Sequence, residues 1–220
     1  MHIEFKLLMD KAGGGSAPSF ISSEIDRFLN IAQDKFVTKR AFGNNPRRTS
    51  FEEDQKRRDD LRTLIKQESI SPSASATDNK PNGLFFKLPE DYRHAINEEA
   101  LIDSGLETEK RVSVKPITHD RYNKIIDDPF NKPDKDIVYR LDYGSGRGEE
   151  DIELICGIGK HISSYILRYL KQPPEITSSQ DCILADHTHR EIVRMAVVDA
   201  LETIEQPRYQ SSKIELNEIE

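Results

Sequence analysis

Tryptophan is absent from this 220-residue sequence, and cysteine occurs only at Cys156 and Cys182. Neither cysteine belongs to a CxxC pair, so neither a disulfide scaffold nor a cysteine zinc site has support, and two ordinary thiols are expected. Long apolar runs are missing too: none approaches the roughly 20 residues needed to cross a bilayer. The opening MHIEFKLLMDK has neither a basic leading region nor a long apolar stretch and does not read as a signal peptide. A soluble protein of intracellular origin is expected. There is no excess of positive charge either, with 32 Lys and Arg against 39 Asp and Glu and a formal net charge of -7. That balance opposes the phosphate attraction on which non-specific nucleic-acid binding depends, and disfavours a dedicated DNA-binding role. With 35% hydrophobic and 32% charged residues, one compact domain with polar arms is expected.

What is present falls into two regions of different character. Residues 1–18 read as an arm and tether: Ile3, Phe5 and Leu7 alternate like a short strand, and KAGGGSAPS follows. A domain over 19–210 comes next. Its first helix, 20–43, opens at Ser22 or Ser23 and carries Ile25, Phe28, Leu29, Ala32, Phe36 and Val37 at helical spacing. The second, 51–68, sets Glu52 against Lys56, Glu53 against Arg57 and Asp54 against Arg58 at i,i+4, so it reads as charge-laced and mostly wet. SISPSASATDNKPN reads as a loop. A small, largely antiparallel β region over 83–171 follows, with strand-like alternation in GLFFKLP, RVSVKPI, DIVYRLDY, EDIELICGI and HISSYILRYLK. In the last run Tyr165, Leu167 and Tyr169 share one face; Pro173 and Pro174 then end the ladder and send the chain on to a helix over 186–206. That helix presents Ile192, Val193, Ala196, Val197, Ala200, Leu201 and Ile204 on one apolar side, and a tail, 211–220, follows Pro207. The fold class expected is α+β: a bundle of three main helices beside a small antiparallel β region, with extended terminal arms.

Three constellations invite a chemical reading. GSGRG at 144–148 has the glycines of a phosphate loop, but GEEDIEL resumes a strand after it and no helix opens there, so a plain hairpin fits better. Asp186, His187, His189 and Glu191 are metal-binding residue types, yet two histidines two apart in a first helical turn point about 200° away from each other. Capping and solvent exposure suit them better. His119 and Asp120 form half of a proton-transfer pair, with His94 and His161 as conceivable partners, and nothing in the sequence brings them together. No serine elbow, activated cysteine or catalytic lysine motif is found. No catalytic residue, cofactor or metal is therefore assigned. RRTSFEEDQKRRDDLR matches its arginines with acids, which suggests either a solvated face or a subunit interface stitched by complementary charge; Glu52, Asp54, Arg57 and Arg58 are its candidate contacts. In the tail, Ile214 and Leu216 alternate with polar residues and are candidates for strand addition to a neighbour.

Taken together, SSEIDRFLNIAQDKFV, LPEDY, VKPITHDRYNKIIDDPFNKP, SYILRYLKQPPEI and LADHTHREIVRMAVVDALETIEQPRYQ resemble the head-proximal neck proteins of crAss-like and related tailed bacteriophages of gut Bacteroidales. The order of elements is also similar, more distantly, to head-to-tail adaptors of the tail tubular protein A type in short-tailed phages. The resemblance implies a non-enzymatic structural ring, commonly of twelve copies, between portal and tail. Its implied partners are further copies of itself, the portal, neighbouring neck or tail rings and DNA passing through the channel, with no membrane contact. It implies a place in the virion after assembly in the host cytoplasm, a closing helix packed on the first, and no catalytic residues to carry over. Two rivals from other classes are a metal-assisted hydrolase using 186–191 and a soluble scaffold or regulator that never enters the particle.

Overall fold

A computed structural model describes residues 1–13, 19–43, 51–73, 80–103, 109–133, 136–144 and 151–204. The chain divides into two compact units: a helical unit of Met1–Leu64 with the chain from Gln172 onward, and a sheet unit of Ile65–Lys171.

In the helical unit, α1 (His2–Gly13) replaces the strand expected of the N-terminal arm. Phe5 and Met9, four apart, are buried and decide the period, while Ile3 and Leu7 are left outside. Phe5 meets Phe20 edge-on at 6.0 Å and lies parallel to Phe28 at 6.3 Å, fastening α1 to the next helix. α2 (Ser22–Phe42) buries Ile25, Leu29, Ala32, Phe36 and Val37, the face read from the sequence. Its start differs from expectation: no serine caps it, and the Glu24 carboxylate instead accepts the Ile21 amide at 2.9 Å. α3 is confined to Gln55–Leu61 between 3-10 turns at Phe51–Glu53 and Arg62–Leu64, so the helix expected over 51–68 is shorter than predicted. α5 (Asp186–Thr203) packs on α2 and α1.

α2 also holds the proline exit. Gln33 Nε2 donates to the carbonyl of Pro174 at 3.0 Å. Asn30 both donates to the Ile176 carbonyl at 3.0 Å and accepts its amide at 2.7 Å. A segment that cannot form a ladder therefore has its backbone groups satisfied by two amide side chains.

The sheet unit holds seven strands: β1 (Ile65–Ile70), β2 (Gly83–Phe86), β3 (Tyr92–Asp103), β4 (Lys110–Pro116), β5 (Ile137–Asp142), β6 (Ile152–Ile155) and β7 (His161–Lys171). They form one sheet ordered β1-β7-β3-β4-β5-β6-β2. Every pairing is antiparallel except β4 with β5, whose crossover carries α4 (His119–Asp127). The sheet curls back on itself, since the Ser73 amide, just beyond edge strand β1, donates to Phe85 on the opposite edge strand at 2.8 Å. Inside the curl, Phe86, Ala100, Ile102, Val112, Val114, Val138, Leu154, Tyr165, Leu167 and Tyr169 share one core. The expected three-helix bundle beside a small β region is thus corrected: among the described residues there are five helices and one seven-stranded sheet with its own core. The helix expected over 51–68 overlaps the first four residues of β1, an edge strand with polar residues, and no strand is expected over β3, whose register shifts break the alternation.

Two features of this unit have measurable consequences. The fully buried Glu153 carboxylate accepts the Lys80 amide and the Tyr143 hydroxyl, the latter at 2.8 Å. A Cβ on Gly83 would stand 2.2 Å from Glu153 Oε1, leaving that carboxylate nowhere to go without breaking its bonds. Gly83→Ala is expected to lower stability by about 1–3 kcal/mol in urea unfolding, the usual cost of overpacking, whereas an unchanged midpoint would show that the carboxylate has room to move. The Tyr169 hydroxyl donates to Asp91 Oδ1 at 2.6 Å, and burial followed by that bond pushes its ionisation up to about 12. Between the ordinary tyrosine value near 10 and that value, the unfolded chain loses the phenol proton first, so stability falls as pH rises. Tyr92, Tyr122, Tyr139 and Tyr165 are shifted the same way, chiefly by burial. Tyr169→Phe is expected to make the alkaline fall in melting temperature shallower, and an unaltered slope would contradict this.

Candidate assembly interface

In the mixed-charge segment Asp54 pairs with Arg57 at i,i+3 rather than with Arg58 at the expected i,i+4. Asp54 Oδ1 accepts the Lys56 amide at 3.1 Å and so caps α3, while Arg57 Nε lies 3.7 Å from Asp54 Oδ2, one turn on at i,i+3. Glu52, Asp54 and Arg58 are exposed and Arg57 is half-buried. These four candidate contacts lie on one short stretch. Ile214 and Leu216 lie outside the described residues.

Sequence reasoning passed over Asp60, which turns inward and organises the unit. Its carboxylate lies 2.8 Å from Arg40 Nε and 2.7 Å from His187 Nε2. Arg40 also holds Glu191 at 2.7 Å and sets its guanidinium 5.0 Å from the centre of the Phe36 ring. α2, α3 and α5 thus meet around the chain of contacts His187–Asp60–Arg40–Glu191. The signal for it was split between Arg40 and Asp60 near the start of the chain and His187 and Glu191 more than a hundred residues later.

That geometry uses up the cluster once considered for a metal. His187 faces Asp60, Glu191 faces Arg40, and His189 Nε2 lies 3.0 Å from the Leu184 carbonyl. Among the described residues no group of three or more His, Cys, Asp or Glu is placed to hold an ion. The proton-transfer set does not assemble either. His94 pairs with Leu170 and His161 with Asp103, at opposite ends of the β3–β7 ladder. His119 Nε2 lies 2.8 Å from the Asp142 carbonyl, and its ring meets Tyr143 edge-on at 4.9 Å. The thiols are equally unreactive in setting: Cys156 donates to the Lys160 carbonyl at 3.2 Å and Cys182 to Gln33 Oε1 at 3.2 Å, and burial pushes both thiols up.

A second charged group lies inside the curl of the sheet. Arg140 contacts Glu98 and lies 2.8 Å from Asp142 Oδ1, and the Tyr165 hydroxyl donates to Glu98 Oε2 at 2.8 Å. Burial, reinforced by Glu98, holds the Tyr165 phenol well above its usual range. The first group joins α2, α3 and α5 and the second joins β3, β5 and β7, so both tie distant elements together.

The sequence profile of the phage tail ring protein 3/4 family matches residues 2–212, a span that runs through both units. The chain belongs to that family. It is similar to Ring protein 3 of Bacteroides phage crAss001, with 28% identity over 207 residues covering 83% of this chain and 86% of that one. It is also similar to Ring protein 4/5 of the same phage, with 26% identity over 215 residues covering 88% and 87%. The chain is therefore a phage structural ring protein, a component of the virion. Among the described residues no helix is long and apolar enough to cross a membrane.

The Asp60 cluster can be tested as structure. Asp60→Ala leaves the buried Arg40 with only Glu191 and is expected to cost about 3 kcal/mol, as when one member of a buried pair is removed. His187→Ala removes a partner that is largely in solvent and is expected to cost less than about 1 kcal/mol. Equal losses in chemical denaturation would contradict this division.

Proposed function

We propose that this ring protein forms one homo-oligomeric layer of the virion neck, between portal and tail, and that DNA passes through its lumen. The observation that carries the reading is the family match across residues 2–212, which takes in both units. The ring holds twelve copies, contacts the portal or an adjoining ring on either side, and performs no catalysis. The net charge of -7 suits a channel along which DNA must slide, since a lining that bound phosphate strongly would hold the genome in place. The protein assembles in the host cytoplasm and acts in the particle.

The exposed stretch Glu52, Asp54, Arg57 and Arg58 supplies complementary charge between copies, fixing register more than affinity. Small polar contacts of this kind leave the free protein monomeric until the portal templates the ring. The tail, with Ile214 and Leu216, adds as a strand to the sheet of a neighbour; β1 and β2 are the edge strands that offer such a place.

Quantitative mass spectrometry of purified particles tests this function. The chain is expected at the same copy number as the portal, and absence from particles would instead favour a scaffold or regulator. Deleting residues 211–220 is expected to leave the monomer's melting temperature nearly unchanged while weakening ring formation on the portal. Normal assembly by the truncated chain would reject the tail's role.

A further inference from the structure

Two apolar side chains of the sheet unit are left almost wholly in water by turns that are themselves tightly built. Phe130 is 93% exposed and Ile158 90%. The Phe130 amide donates to Asp128 Oδ1 at 2.9 Å, Asn131 Nδ2 donates to Asp128 Oδ2 at 2.6 Å, and the Lys132 amide donates to the Asp128 carbonyl at 3.0 Å. The Tyr139 hydroxyl, donating to the Asn131 carbonyl at 2.6 Å, ties this turn to the first residues of β5. Ile158 stands on the turn from β6 to β7, closed by the Lys160 amide on Gly157 at 3.3 Å and by Gly159 at φ +76. Tyr139 lies opposite Ile155, three residues before Ile158, so both turns occupy the same end of the β5–β6 pair.

Neither side chain contributes to its own core, yet each is presented on a fixed backbone. Anchors held ready in this way lose little entropy on docking, which is the property of an interface hot spot. The helical unit carries a matching feature. On α1, Phe5 and Met9 point inward, and Ile3 and Leu7 lie one turn apart on the outer side, 79% and 63% exposed. Each patch also has one exposed acid and one exposed base beside it, Lys6 and Asp10 on α1, Asp127 and Lys132 at the tip.

A closed ring decides between the possible occupants. Its interfaces are head-to-tail, so each copy must carry two different patches that fit one another, whereas a two-fold dimer needs one patch that fits itself. We infer that the Phe130 and Ile158 tip of one copy docks on the Ile3 and Leu7 face of α1 in the next copy around the ring. This rests on the ring reading above.

The test uses particles carrying Leu7→Cys together with Phe130→Cys in a Cys182→Ser background. Mild oxidation is expected to give a ladder of covalent dimers, trimers and larger species that collapses on reduction, with no cross-link from either single cysteine. A lone dimer band, cross-linking by Phe130→Cys alone, or no cross-link in particles that contain the chain would overturn the inference. Absence of the unaltered chain from particles would instead reject the ring reading itself. Separately, Phe130→Asp with Ile158→Asp is expected to leave the melting temperature unchanged and to lower incorporation about tenfold or more, the scale of losing a hot spot. Normal incorporation, or a lowered melting temperature, would overturn it as well.

Discussion

Asn30 and Gln33 on α2 receive the chain as it comes back from the sheet unit, and they fix the course on which the second half of the helical unit is laid down. The unit is discontinuous in sequence, made of residues before Ile65 and residues after Lys171. Pro173 and Pro174 stop β7 and cannot donate to a ladder, so the carbonyl of Pro174 and both backbone groups of Ile176 are taken up by those two side chains. With the exit fixed, α5 lies along α2, with Lys35 on Asp199 at 2.8 Å and Arg40 on Glu191 at 2.7 Å. α1 then has a floor of α2 and α5 on which to bury Phe5 and Met9. The strand that ends in two prolines and the helix that follows are two halves of one device.

The more buried charge of this molecule is gathered in small groups, with Asp60 shared by Arg40 and His187, and Glu98 shared by Arg140 and Tyr165. Buried ionic groups add little net stability compared with apolar packing of the same volume, but removing one member leaves an uncompensated charge, so they hold a geometry strictly. A subunit that must repeat the same contacts around a ring benefits from that strictness. His187 and Glu191, residue types that suggest a metal site in sequence, therefore serve as joints between helices, and the exposed charge of α3 and the apolar turns of the sheet unit are the surfaces proposed to meet other copies.

Legibility in the sequence followed the burial pattern. α2, α5 and strands β2, β4, β5, β6 and β7 were readable because each carries a periodic or continuous apolar run that is buried, and Tyr165, Leu167 and Tyr169 share one core as their alternation implied. β3 was not readable, since its register shifts at Tyr92/His94, Ala95/Asn97 and Leu101/Ile102, which scrambles alternation. β1 follows a charged helical turn directly, and only pairing with β7 makes Ile65–Ile70 a strand. α1 is short enough that Ile3, Phe5 and Leu7 fit a period of two as well as a helix, and tertiary burial of Phe5 with Met9 settled it. The Asp60 cluster needed three distant segments to meet, which no local pattern records. The presented Phe130 did leave a trace in DDPFN, an Asp turn ahead of an aromatic.

Under the proposed function this chain works as a ring around the path of the genome. Cryo-electron microscopy of the purified particle tests it most directly: the account predicts density for this fold repeated cyclically about the tail axis between portal and tail, with an open lumen. Particles in which the fold lies elsewhere, or occurs as isolated copies away from the axis, would contradict it.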